Sequence, residues 1–100
     1  MSTSGTDLRN PVAQRVTAGE DSLVVELSDG RVVTVPLAWF PRLLQGTPVE
    51  RANLRLIGSG EGIHWPDLDE DISVASLLAG RRSSETRESL LRWLKTRQVK

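Results

Sequence analysis

GIHWPDLDEDIS, residues 62–73, holds the only histidine of this 100-residue chain, one of its three tryptophans and four carboxylates within five positions. It is either a catalytic or metal-binding cluster, or a strand that turns a corner into a helix. Ile63 and Trp65 flank His64, the period-2 alternation of a half-buried strand. Pro66 and the acids Asp67 to Asp71 then read as a turn. Ser73 follows as the N-cap of a helix over SVASLLAG, with Val74, Leu77 and Leu78 on one face and Gly80 as the stop. The acids sit just before the positive end of that helix, where negative charge is stabilising. These features favour the corner.

The chemical alternatives each lack a component. Asp67, Asp69 and Asp71 have the spacing that opens a calcium loop. That loop needs glycine at its sixth position and a bidentate glutamate at its twelfth, and those positions hold Ile72 and Leu78. A single histidine excludes a His-pair zinc site within one chain. His64 as a general base with Asp67 or Asp69 as orienter satisfies the reach such pairs need, but an imidazole between Ile63 and Trp65 is expected to be a half-exposed sheet residue. Gly58-Ser59-Gly60-Glu61-Gly62 resembles a phosphate cradle only until Ile63-His64-Trp65-Pro66 follows it, a strand where the cradle requires a helix. Ser59 also lacks the glycines two positions either side that mark a nucleophile elbow. No catalytic, cofactor-binding or metal-ligating residue is assigned, no cofactor is implied, and the chain is expected not to be an enzyme.

Upstream, VAQRVTAG (12–19) reads as a weak strand, and LVVEL (23–27) and RVVTVPL (31–37) flank a turn. Side-chain parity selects a three-residue loop, Ser28-Asp29-Gly30. Only that loop puts Leu23, Val25 and Leu27 on the same face as Val33 and Val35, with Gly30 supplying the positive φ. Pro36 ends the strand or lies at a sheet edge. AWFPRLLQG reads as one short helix with Pro41 in its first turn and Gly46 as its stop, its Trp39 and Phe40 being core rather than a ligand platform. Thr47-Pro48-Val49-Glu50 is a capping box, predicting a helical turn over 48–52. NLRLIG (53–58) pairs with GIHWP (62–66). The expected fold is α+β: a small antiparallel sheet of about five strands, two or three short helices and a C-terminal basic amphipathic helix.

Size and composition allow one domain, with residues 1–11 as a flexible arm, 12–80 as the body and 81–100 as a basic tail. The chain has no cysteine and no apolar run of membrane-spanning length, and its start has no secretory-signal pattern; a cytoplasmic location is expected. Net charge is zero but unevenly placed. Residues 1–80 carry six Arg against eleven acids, a balance of −5, and residues 81–100 carry seven basic residues against Glu85 and Glu88, a balance of +5. The tail, SSETRESLLRWLKTRQ (83–98), is helix-permissive with Ser83 or Ser84 as N-cap, and it gathers Leu90, Leu91, Trp93 and Leu94 on one side. A helix this short needs a surface to pack on. Arg87, Leu90, Arg92, Trp93, Leu94 and Arg97 are the candidate partner-binding residues, because aromatics and arginine dominate binding hot spots.

LSDGRVVTVPLAWFPRLL and GIHWPDLDEDISVASLLAG together resemble the family called domain of unknown function 2442, over about residues 12–80. The resemblance implies a small bacterial α+β domain with no assigned catalytic residues. It also implies an antitoxin-like role beside a second small family, domain of unknown function 4160. Some longer relatives carry a helix-turn-helix, for which a twenty-residue tail has no room.

Three functions follow. The first is a non-catalytic module that binds a protein partner, such as a small toxin-like protein, through the tail. The second is nucleic-acid binding through phosphate contacts from residues 81–100. The third is a hydrolytic or metal-dependent enzyme at His64 and its acids. A tail packed on its own body, or on a neighbour in a homodimer, is the simplest alternative to a partner.

Overall fold

The computed structural model describes residues 11–98, apart from the Gln98 side chain. All but the last residue of the expected N-terminal arm lies outside the described residues, as do Val99 and Lys100.

Branched residues build the first sheet. Its strands are β1 (Ala13–Ala18), β2 (Ser22–Leu27) and β3 (Val32–Pro36), antiparallel in the order β1-β2-β3. Leu23 pairs with Val35 and Val25 with Val33, so the loop between β2 and β3 has the three residues that burial parity requires. Gly30 N–H donates to Leu27 O at 3.1 Å and Leu27 N–H to Arg31 O at 2.8 Å, with Gly30 at φ +93°. Pro36 closes β3 at the sheet edge, where its missing N–H is harmless.

The next segment is not one helix. Leu37–Trp39 form a 3₁₀ turn, Phe40 breaks out at φ −129°, ψ 89°, and α1 runs Pro41–Gln45. The proline ring bars the preceding residue from helical geometry, so Pro41 starts a helix and also ends the previous turn. The Thr47 capping box forms as expected: Thr47 Oγ1 accepts from Glu50 N–H at 3.1 Å, Glu50 Oε1 accepts from Thr47 N–H at 2.9 Å, and α2 spans Pro48–Ala52.

The expectation of about five strands in one sheet is corrected to six strands in two sheets among the described residues. The second sheet holds β4 (Arg55–Ile57), β5 (Gly62–Trp65) and β6 (Glu70–Ser73), antiparallel in that order. β6 is the strand hidden in the acidic stretch. Glu and Asp are poor strand formers in isolation, yet Ile72 lies opposite Ile63 and both are buried, so packing overrides propensity. The turn shrinks to Pro66–Asp69, with Asp69 at φ +52° and Leu68 fully buried beneath it. Ser73 ends β6 and also caps α3 (Val74–Leu78), its Oγ accepting from Ser76 N–H at 3.0 Å. Val74 and Leu77 are buried, but Leu78, expected on the same face, is 38% exposed.

One core joins the sheets and the helical corner. Leu23, Val25, Leu37, Leu43, Ile63, Trp65 and Leu68 are its most deeply buried members. Among the described residues, two main-chain bonds tie the second sheet to its neighbours: Ala13 N–H to Gly60 O at 2.8 Å, and Val74 N–H to Glu61 O at 2.9 Å. The tail forms α4 (Arg87–Gln98). Its cap is neither Ser83 nor Ser84 but Thr86, whose Oγ1 accepts from Ser89 N–H at 3.0 Å. Among the described residues, no helix is long and apolar enough to cross a membrane.

Candidate functional site

Four elements converge where α4 meets the body. The Arg42 guanidinium on α1 makes a bidentate pair with Glu85: Nε donates to Oε1 at 2.6 Å and Nη2 to Oε2 at 2.9 Å. Arg42 Nη1 also donates to Asp69 O at 3.0 Å, and Ser89 Oγ donates to Glu85 at 2.5 Å. At the other end of α4, Arg97 Nη2 donates to Glu50 Oε1 at 2.7 Å. The Trp93 ring lies between these clamps, with the Arg42 guanidinium 5.1 Å and the Arg97 guanidinium 4.8 Å from its centroid, and it packs against the core. The link is held too: Ser83 N–H donates to Trp39 O at 3.0 Å, and Arg82 sits 5.1 Å over Trp39.

The six tail residues singled out from sequence therefore divide into two groups. Leu90, Trp93, Leu94 and Arg97 are half-buried, while Arg87 and Arg92 are exposed, together with Leu91 and Lys95. That Arg42 and Glu50 receive the tail escaped the sequence reading, in which Glu50 figures only as part of the capping box. Each lies more than forty positions from its partner, and the −5/+5 charge split was the only hint of the contact.

The electrostatics follow from these pairs. Arg97 and the Thr47 N–H hold the Glu50 carboxyl down at about 2, and Arg42 lowers that of Glu85. Glu70 behaves oppositely. It shares the inward face of β6 with Ile72 and lies opposite Trp65, so burial raises it to about 7; Arg42 lowers it, and Glu85, Asp71 and Asp69 raise it further. Folded Glu70 thus holds its proton from about pH 4.5 to 7 where the unfolded chain has lost it. Stability is expected to fall as pH rises through that window, by about 1–2 kcal/mol after allowance for solvent screening. Glu70→Gln should abolish that loss, which urea denaturation at pH 5 and pH 8 measures.

His64 is the half-exposed sheet residue expected, on β5, but its carboxylate neighbour is not one of the acids weighed as orienters. His64 Nδ1 lies 2.5 Å from Asp71 Oδ1, its directly opposed residue on β6, and not beside Asp67 or Asp69. Asp67 instead accepts from Asn53 Nδ2 at 2.9 Å. Arg55 is opposite His64 on the other side, so Arg55, His64 and Asp71 form one row across the outward face of the sheet. Asp71 can orient the imidazole, but the neighbouring Ser73 hydroxyl is occupied as the cap of α3. Among the described residues, no three His, Asp or Glu side chains gather closely enough to hold a metal ion.

The model of a family described as a protein of unknown function, DUF2442, matches residues 13–83, ending before α4. Two solved structures are similar. One is a crystal structure of a protein of unknown function from Rhodospirillum rubrum, 25% identical with a TM-score of 0.66, covering 75% of this chain and 93% of that one. The other is the solution structure of an uncharacterised protein from Chromobacterium violaceum, also 25% identical with a TM-score of 0.66, covering 79% of this chain and 74% of that one. No curated protein matches the chain.

Proposed function

We propose, from the premise that the chain belongs to the DUF2442 family, that it is a non-catalytic, cytoplasmic binding module whose α4 presents a basic outer face to an acidic protein partner. One observation carries this. Arg87, Leu91 and Lys95 recur every fourth residue on the exposed side of α4, with Arg92 beside them, while Trp93 and Arg97 hold the helix on the body. Residues at that spacing line one side of a helix. A helix fixed at both ends presents its cations without the ordering penalty a free tail would incur on binding. Leu91, 48% exposed in the middle of the stripe, favours a protein surface over a phosphate backbone, which offers a leucine nothing apolar. An antitoxin-like role with a small toxin-like partner suits such a face.

The same cations support nucleic-acid binding as a second reading. Capture of a partner from the native lysate by the wild-type chain, and its loss with Arg87→Glu/Arg92→Glu/Lys95→Glu, is the expected result. Equal recovery by both proteins overturns the proposal. Titration with duplex DNA should show no binding at low salt. Tight binding there that weakens steeply with salt and vanishes in the triple variant would assign the face to nucleic acid.

A further inference from the structure

The geometry points to exchange of residues 81–98 between two copies of this chain, each copy's α4 seating in the α1–α2 site of the other. This concerns the inner face of α4 and is independent of the outer-face proposal. The segment is attached as a separable unit. Among the described residues, its bonds to the body are the Arg42–Glu85 and Arg97–Glu50 pairs, the Ser83 N–H to Trp39 O bond and the Arg81 N–H to Ser76 O bond beside the hinge. The guanidinium contacts with Trp93 and Trp39 and the packing of Trp93 complete the attachment. Past the hinge, none of these contacts depends on which chain supplies the helix.

The connection allows the transfer. Gly80, at φ +74°, has open space around it, and Ala79, Arg81 and Arg82 beside it are exposed. Opening there releases two capping bonds, Gly80 N–H to Leu77 O and Arg81 N–H to Ser76 O, and the core contact that leaves with the segment is that of Trp93, which re-forms on the other copy. The family's shared unit stops at residue 83, so the body is a fold that α4 is added to. A released twelve-residue helix is marginal alone in water and must find a surface. The surface that matches it occurs on every other copy, and exchange of an identical element is a low-cost route to a dimer. The tether favours the closed monomer at low concentration and exchange at high concentration.

Two complementary variants test this. Arg42→Glu sets two carboxylates against each other in its own chain, and Glu85→Arg sets two guanidiniums, so neither seats its own tail. In an exchanged heterodimer both junctions become opposite-charge pairs. Light scattering on a sizing column should give monomer mass for each variant alone and twice that mass for the equimolar mixture, with Arg42→Glu/Glu85→Arg in one chain behaving as wild type. A mixture that stays at monomer mass overturns the proposal. Should the reversed pair fail to seat in the double variant, sedimentation of the wild-type chain decides: dimer at millimolar concentration supports exchange, and monomer throughout overturns it.

Discussion

Trp65→Ala is expected to lower the folding free energy by about 3–5 kcal/mol, the range for removing a large aromatic from a core. Trp65 is fully buried, and its Nε1–H donates to Arg51 O at 3.0 Å. The indole therefore fills the space between β5 and the helical corner and also satisfies a main-chain carbonyl at the end of α2. A domain of this size has only about 5–15 kcal/mol in total, so the variant should be near the limit of folding. Trp65→Phe retains most of the apolar volume and loses the hydrogen bond, and about 1–2 kcal/mol is expected. Urea titrations of the two variants check both values. The midpoint should fall in that order, and a Trp65→Ala midpoint within error of wild type would contradict the burial described above.

Gly60→Ala should have the second largest effect, about 2–4 kcal/mol, although it adds one methyl group at a turn. Gly60 sits at φ +105°, where an L side chain is strained by about 1–3 kcal/mol. A Cβ there would lie 2.4 Å from Ala13 O and 3.2 Å from both Ala13 N and Val12 Cβ. Backbone fills that space, so relief requires β1 to move away, and the Ala13 N–H to Gly60 O bond between the sheets is lost with it. Gly30 is the internal comparison. It has a similar φ of +93° but nothing within 4 Å, so Gly30→Ala should lose only the conformational part, about 1 kcal/mol. Equal losses at the two glycines would mean that contact with β1 is unimportant.

The first sheet was legible in the sequence because its information is local and periodic. Leu23, Val25, Leu27, Val33 and Val35 can share a face with only one loop length, and Thr47 to Glu50 specify their cap within four residues. β6 was not legible. Glu70 and Asp71 carry turn and capping chemistry in isolation, and only Ile63 and Trp65 on the neighbouring strand make a strand of them. The partner of His64 was lost for the same reason, since Asp71 reaches it by cross-strand register and not by closeness in sequence. Phe40 shows a smaller failure: helical spacing of apolar residues continued across Pro41, but the restriction that proline places on its predecessor did not permit the helix to do so. The seating of α4 depends on Arg42–Glu85 and Glu50–Arg97, pairs separated by 43 and 47 positions, for which charge balance gives a sign but no address.

Arg51 gives the helical corner a different character from the tail beside it. Its side chain is buried, and Nη1 donates to Gly46 O at 2.5 Å and toward Leu43 O at 3.4 Å, carbonyls at the end of α1. The cation thus neutralises a helix terminus and bolts two consecutive short helices together without a carboxylate. Dissolved ions screen such an enclosed charge-to-dipole contact weakly, whereas the Arg97–Glu50 clamp leaves 19% and 18% of its side chains exposed, more than the 16% and 7% of Arg42–Glu85. Brine is consequently expected to loosen the far end of the appendage, at Arg97 and Glu50, before the hinge-side clamp or the bolted corner.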